Sequence, residues 1–564
     1  MVANERLLTY SLMEISLVPN SSLLERASPN PNSAIRLSQS EIPILFHLRT
    51  GSNLEQPTLR DRRRPSSSSS ISIFERCSQS GRFPPLENAR TTTKDEHDWR
   101  RYRVTRCASA LTARNSSVSS AVHPQGLVDF TVNRIADLKE EDLHTLQGQV
   151  HHEYEAVRER GLGLDMTRGK PSPEQLDLAT DLLTLPGTRD YFTEAGDDAR
   201  NYGVLQGLPE ARSLFSRTLG APIDRIVASD NSSLAVMHDC ILWALLKGVP
   251  GSAAPWSQAK APTFVCPVPG YDRHFAICEE YGIQMLPAPM TGNGPDMDTV
   301  ERLVADPAVK GMWCVPKYSN PTGEVYSDEI VRRLAAMRTA APDFRLFWDN
   351  AYAVHHLTEN RREIANILEL CERAGNPDRA FVFASTSKVT LAGAGLAFFA
   401  SSAANVRWYL GRAAKRTIGP DKLNQLRHVR FLKNEAGLNR LMDAHRALLV
   451  PKFDAVLAAL ESRLSGTGIA QWSRPEGGYF ITVDVMEGTA KRVVELAKNV
   501  GLAITPAGAT WPYGRDPYDR TLRLAPTFPP LKDVRDASEG IAICILLAAI
   551  EKHCAARKVS TDVA

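Results

Sequence analysis

Apolar positions along this chain change rhythm twice. Residues 1–122 show no sustained helical or strand period. They are rich in Ser, Arg, Asn and Pro, including Arg62-Arg-Arg-Pro-Ser-Ser-Ser-Ser-Ser70, and predict no packed core. Order is predicted to begin near Val128. Leu143, Leu146, Val150, Tyr154 and Val157 fall at helical spacing on an otherwise polar segment, which predicts an amphipathic helix. A loop follows, Asp165-Met-Thr-Arg-Gly-Lys-Pro171. From about residue 200, short apolar runs at 263–268, 311–315, 345–348, 381–384 and 396–400 alternate with helix-length segments. Runs that are apolar on both faces and spaced this way predict an α/β fold, a mainly parallel sheet sandwiched by helices. The run Ile541-Ala-Ile-Cys-Ile-Leu-Leu-Ala-Ala-Ile550 is about half a bilayer span and reads as a buried helix.

Composition adds one asymmetry. The chain of 564 residues is long enough for two substantial cores, and its net charge of +3 is too small to imply nucleic acid or a membrane surface. Residues 1–120 nevertheless hold sixteen Arg and one Lys against eleven acids, a net of +6, so the remainder is at −3. Glu5 and Glu14 interrupt any secretory signal, and eleven acids disfavour an organellar transit peptide. The first 122 residues therefore read as a disordered extension, or as a start codon placed too early. The nine cysteines, at 77, 107, 240, 266, 278, 314, 371, 544 and 554, form no Cys-x-x-Cys pair. A disulfide framework or metal site is not expected, and a reducing cytoplasmic setting is.

Four segments carry chemistry. The strand candidate at 381–384 runs into Ser385-Thr-Ser-Lys388, which can hold an amine at a strand mouth, ready to form a Schiff base with a carbonyl cofactor. Ser319-Asn-Pro-Thr-Gly323, Trp348-Asp-Asn-Ala-Tyr352 and Thr521-Leu-Arg-Leu-Ala525 add an amide, a carboxylate, a phenol and a guanidinium. Asn320, Asp349 and Lys388 each follow a predicted strand, where open α/β sheets gather function. Taken singly, Asp349 also fits a helix cap, Asn-Pro-Thr-Gly an ordinary turn and Arg523 a surface ion pair.

These segments, in this order, resemble a fold-type I, class I aminotransferase over roughly residues 128–555. The resemblance is narrower to a bacterial aspartate aminotransferase subgroup that carries Thr-Arg-Gly-Lys-Pro, Pro-Gly-Tyr-Asp-Arg-His-Phe and Trp-Asp-Asn-Ala-Tyr, here at 167–171, 269–275 and 348–352. It implies pyridoxal 5'-phosphate as cofactor, with a large domain at 196–431 and a smaller α+β domain from 128–195 and 432–556. It implies that Lys388 forms the Schiff base and shuttles the proton, that Asp349 meets the pyridine nitrogen, and that Tyr352 and Asn320 meet the ring's phenolic oxygen. Tyr271 would stack on the ring. Ser232, Ser233 and Ser385 would bind the phosphate, beside the start of a helix at 235–246. Two positions depart from the family. Leu396 stands where many members carry an arginine, and Asp230 where they carry glycine. The phosphate's cation is thus open, with Lys415 or Arg416 as candidates.

The resemblance further implies that Arg523 and Gly169 receive the substrate α-carboxylate. Arg273, with Arg168 behind it, would take the side-chain carboxylate unless it pairs with Asp272. Tyr202 would reach the cofactor phosphate of a neighbouring subunit, which requires a homodimer. The expected reaction is amino transfer from L-aspartate to 2-oxoglutarate, with amino acids and 2-oxo acids as the only partners. The alternatives are a transaminase for an aromatic or kynurenine-type substrate and a ligand-sensing transcription regulator. For the regulator, the first 120 residues would have to supply amphipathic DNA-binding helices, and they show none.

Overall fold

The computed structural model describes residues 134–562. The extension at 1–122 and the start of order near Val128 lie outside the described residues. The predicted amphipathic helix is α1, Glu140–Glu159, which buries Leu143, Val150, Tyr154 and Val157 on one stripe. Each such side chain contributes on the order of 1.5–3 kcal/mol when fully buried.

Seven strands form the main sheet: β1 (Ile226–Ser229), β2 (Thr263–Val268), β3 (Gln284–Pro289), β4 (Val309–Cys314), β5 (Arg345–Asp349), β6 (Ala380–Ser385) and β7 (Ala397–Ala400). Their spatial order is β1-β7-β6-β5-β4-β2-β3. β7 runs antiparallel to both neighbours, and the other pairings are parallel. The five predicted strands all form, with ends shifted by one or two residues. β1 and β3 were not anticipated. β3 is an edge strand that buries only Met285 and Ala288 and carries prolines at 287 and 289, so it shows no apolar run.

The sheet separates two cores, because successive residues of a strand point to opposite faces. Phe347 packs with Phe264, Trp313, Phe381 and Phe383 on one face, beneath α2 (Ser233–Lys247). Leu346, Trp348 and Val382 belong to the core on the other face. Helix α3 (Asp272–Glu280) follows β2, and α4 (Lys422–Leu432) leads into the long α5 (Glu435–Leu464).

A third core surrounds a three-stranded antiparallel sheet of β8 (Ala470–Trp472), β9 (Ile481–Val485) and β10 (Thr521–Leu524), ordered β10-β9-β8. The last helix, α6 (Leu531–Asp562), packs against α1 and α5. Its run 541–550 is wholly buried, as expected. A two-residue parallel pairing joins Leu164 to Leu502 and Asp165 to Ala503, tying the early chain to the late chain. Among the described residues, no helix is long and apolar enough to cross a membrane, no cluster of His, Cys, Asp or Glu could hold a metal, and no disulfide forms.

Candidate active site

The parallel strands of the main sheet share one carboxyl edge, and the candidate residues collect there. Asp349 ends β5, Asn320 lies in the loop after β4, Tyr271 opens α3 after β2, and Lys388 follows β6. Arg523 comes from β10 in the other sheet, and Gly169 from the loop after the Leu164–Asp165 pairing.

Asp349 is buried, and its Oδ2 lies 3.2 Å from His274 Nε2. The imidazole stacks on Trp313, with centroids 4.2 Å apart and planes at 9°. A carboxylate facing Nε2 assigns the proton to that nitrogen, so His274 donates. The other carboxylate oxygen, Oδ1, is buried with no partner. A buried anionic oxygen without a donor is costly, and a pyridinium N–H is the kind of donor that would satisfy it. Tyr271 stands edge-on to His274 at 4.9 Å, its phenol pKa raised first by burial and then by Asp349. Burial likewise raises the Tyr352 phenol well above 10, with Tyr271 and Asp349 adding to the effect.

Lys388 Nζ sits 5.0 Å from the centroid of Tyr352 and 5.8 Å from that of Tyr479. Crowding by protein lowers the amine's pKa, against the pull of Asp349. The neutral, nucleophilic form is therefore reached at lower pH than in a solvated lysine. The Lys388 carbonyl accepts from His355 Nε2 at 3.1 Å and from the Tyr479 hydroxyl at 3.4 Å. Gln175 Nε2 donates to Tyr479 at 3.1 Å and also reaches His445 Nδ1 at 2.9 Å. This network was not anticipated. Nothing in the local sequence brings together residues separated by up to 304 positions.

The phosphate candidates also meet. Ser232 caps α2, its hydroxyl accepting from the Ala235 N–H at 3.2 Å, with Ser233 as the first helical residue. The helix begins at Ser233, two residues earlier than expected. Ala397 N–H donates to the Asp230 carbonyl at 3.2 Å, which joins this loop to the strand beside Ser385. The Ser385 hydroxyl donates to Ser387 at 3.1 Å. The unexpected charge of Asp230 is taken up by Arg416, which also holds Asp239 at 3.0 Å. Arg416 is thus tied to two carboxylates. Lys415 is exposed, and Leu396 is buried with its N–H on Thr386 Oγ1 at 2.8 Å.

Arg523 is buried over the Phe480 ring at 5.0 Å. Its Nη1 donates to Asp272 at 2.8 Å and to Asn320 Oδ1 at 3.3 Å, and its Nε donates to Thr505 at 3.3 Å. Asp272 therefore pairs with Arg523 rather than with Arg273. Arg273 is exposed, with no ion pair among the described residues, and Arg168 is exposed as well. Gly169 lies so close to Phe480 that a Cβ would fall 2.5 Å from Cζ. Tyr202 is 78 % exposed in a loop held by Lys422, whose amine donates to the carbonyls of Asn201 and Gly203.

Comparison with known proteins gives the chain's family. Residues 138–557 match the family model described as aspartate amino-transferase. A provisionally named aminotransferase of Mycolicibacterium smegmatis is 54% identical over 411 residues, 72% of this chain and 95% of that one. An aspartate aminotransferase of Corynebacterium glutamicum is 48% identical over 440 residues, 78% of this chain and 99% of that one. The crystal structure of an aspartate transaminase from Corynebacterium glutamicum superposes with a TM-score of 0.74 at 48% identity, covering 75% of this chain and 100% of that one.

Proposed function

The chain belongs to the aspartate amino-transferase family, an enzyme family of aminotransferases, and from that premise we propose that it uses pyridoxal 5'-phosphate to move the amino group of L-aspartate to 2-oxoglutarate. The observation that carries the reading is the pairing of a buried, unpartnered Asp349 Oδ1 with the nearby Lys388 amine, whose pKa is lowered. When bound, pyridoxal phosphate supplies a carbonyl that condenses with amines and a ring that accepts an electron pair from the substrate Cα.

The chain's residues divide the remaining work. Asp349 Oδ1 accepts the ring N–H, while His274 holds Oδ2 and so fixes the carboxylate's orientation. Asn320 and Tyr352 address the phenolic oxygen, and Tyr271 covers the ring. Ser232, Ser233, Ser385 and the N–H groups opening α2 receive the phosphate, with the helix dipole favouring its charge. Lys388 would hold the cofactor through its amine, and Nζ is the group that would take up and return the substrate Cα proton. Arg523 grips the α-carboxylate beside Gly169, and Arg273 meets the side-chain carboxylate. Tyr202, exposed and held in place, serves the partner's phosphate in a homodimer. The residues at 128–195 and 432–556 act as the smaller domain, bringing Arg523 to the edge of the larger domain at 196–431. The three subgroup motifs at 167–171, 269–275 and 348–352 supply Gly169, Tyr271 with Arg273, and Asp349 with Tyr352.

The test is an absorption spectrum of the purified protein with added cofactor, before and after L-aspartate, beside Lys388→Ala. A cofactor band that responds to aspartate in the parent but not in Lys388→Ala supports the reading, and no band at all overturns it. Arg273→Ala is expected to cost dicarboxylates about 10- to 100-fold in kcat/KM, the worth of one charged hydrogen bond, and aromatic substrates far less. Equal losses on both remove Arg273 as the specificity residue.

A further inference from the structure

Behind the loops that carry Asn320 and Asp349 lies a second cleft that the reaction above does not use. Its volume is about 580 Å³, within the range of small-molecule sites. Trp348 and Val382 line it, so it opens on the face of the sheet opposite the His274–Trp313 stack.

Two side chains that are more than nine-tenths buried line this cleft with a polar group lacking a partner. Lys317 is 8% exposed, and among the described residues its amine makes no hydrogen bond or ion pair. Its closest recorded interaction is with the Tyr318 ring, 5.6 Å away. Asn350 is 7% exposed, and its Nδ2 donates to the Thr218 carbonyl at 3.1 Å, leaving Oδ1 buried and unpartnered.

Cations outnumber acids in the lining. Arg217, Arg361 and Arg362 join Lys317 in the lining, against Glu363 and Glu435, for a net of +2. Glu435 is engaged by Arg217 at 2.7 Å, and Glu363 is an exposed side chain 3.9 Å from the same arginine. Arg361 and Arg362 are matched by Asp443 at 2.7 Å and Glu476 at 3.6 Å. Lys317 is the cation left over. Burial lowers its pKa to about 8, so at neutral pH most of the amine still carries a charge. Glu363 acts on this amine only in part, since burial still outweighs it, and an anion in the cleft would offset what remains.

We propose that this cleft binds a small oxyanion-bearing molecule, with a carboxylate or phosphate on the Lys317 amine and a hydrogen-bond donor of the same molecule on Asn350 Oδ1. The test is calorimetric titration of the full chain, saturated with pyridoxal phosphate, with inorganic phosphate and separately with acetate. Cofactor saturation keeps the phosphate out of the cofactor's own site. Saturable binding of at least one anion is expected, weakened tenfold or more by Lys317→Met. It should be retained within about threefold by Lys317→Arg and by Lys498→Met, a change at an exposed lysine elsewhere. Whichever anion binds identifies the ligand as a phosphate or a carboxylate. No saturable binding of either, or equal affinity in Lys317→Met, overturns the proposal. Should Lys317→Met fail to fold, Asn350→Asp puts a negative charge into the cleft and must abolish binding. Binding that persists in that variant overturns the proposal as well.

Discussion

Replacing Asp272 with Asn tests how Arg523 divides its hydrogen bonds between protein and substrate. Its Nη1 is engaged by Asp272 at 2.8 Å and Asn320 at 3.3 Å, and its Nε by Thr505 at 3.3 Å. A two-point grip on a carboxylate uses neighbouring N–H groups, so Nη2 needs a companion on Nη1 or Nε. Under the proposed role of Arg523, Asp272 competes with the substrate for the same guanidinium. For charges 2.8 Å apart, Coulomb's law gives about 1.5 kcal/mol in water and about 6 kcal/mol at an effective dielectric constant of 20. The Asp272 side chain is 36% exposed, so screening puts the pair near the lower figure, about 1 kcal/mol, or roughly fivefold in binding. Asn keeps the shape and the acceptor and loses the charge. The expected result is a KM for L-aspartate lowered about three- to fivefold with kcat within twofold. The assay is initial rates at saturating 2-oxoglutarate, with oxaloacetate followed by coupled reduction. An unchanged or higher KM refutes the competition and makes Asp272 a support for Arg523.

Three further outcomes can be checked. His274→Phe keeps an aromatic ring against Trp313 but removes the donor to Asp349 Oδ2, so kcat/KM is expected to fall about 10- to 100-fold with little change in melting temperature. An unchanged rate would deny His274 its positioning role. Gly169→Ala sets a Cβ 2.5 Å from Phe480 Cζ and should cost about 1–3 kcal/mol in urea unfolding, recovered in part by Phe480→Leu, whereas full stability in the single variant contradicts the contact. Burial first of all lowers the pKa of His355 to about 3 and of His356 and His428 to about 4. The unfolded chain therefore takes up protons near pH 6.5 that the folded chain refuses, and stability falls as pH drops from about 6.5 to about 4. Three such groups give a slope of up to about 4 kcal/mol per pH unit, which His428→Asn should reduce by about a third. Urea unfolding at pH 7 and pH 5 measures it, and equal stabilities at both would refute it.

What the sequence disclosed follows from how local each signal is. β2, β5 and β6 are buried along nearly their whole length, so their apolar runs stand out against polar flanks. β3 buries only Met285 and Ala288 among two prolines, and β1 is four residues long and ends directly at Asp230, so neither has a run to recognise. The gathering of Lys388, Asp349, Tyr352 and Asn320 at one sheet edge was legible because each lies at, or a few residues beyond, the carboxyl end of a strand. His274 was present in a quoted motif, but its task depends on a carboxylate 75 positions away. The pairing of Asp272 with Arg523 was not foreseen for the same reason, since Arg523 lies 251 positions downstream and reaches it through the fold. Of the two cations named for the proposed phosphate site, Arg416 is taken up by Asp230 and Asp239 and Lys415 is exposed, a distribution set by contacts that no local motif carries.

The tie between Leu164–Asp165 and Leu502–Ala503 has a consequence for manufacture on the ribosome. The seven strands of the main sheet have all been made by Ala400, yet the guanidinium at 523 belongs to a strand still unwritten. At 5–20 residues per second, the stretch from Lys388 to Arg523 takes about 7–27 s to translate. Helix α1, among the first of the described segments to be synthesised, packs chiefly on α6, among the last. Its stripe of Leu143, Val150, Tyr154 and Val157 therefore waits through nearly the whole of synthesis for the surface that covers it, an apolar face of the sort that invites aggregation in a growing chain.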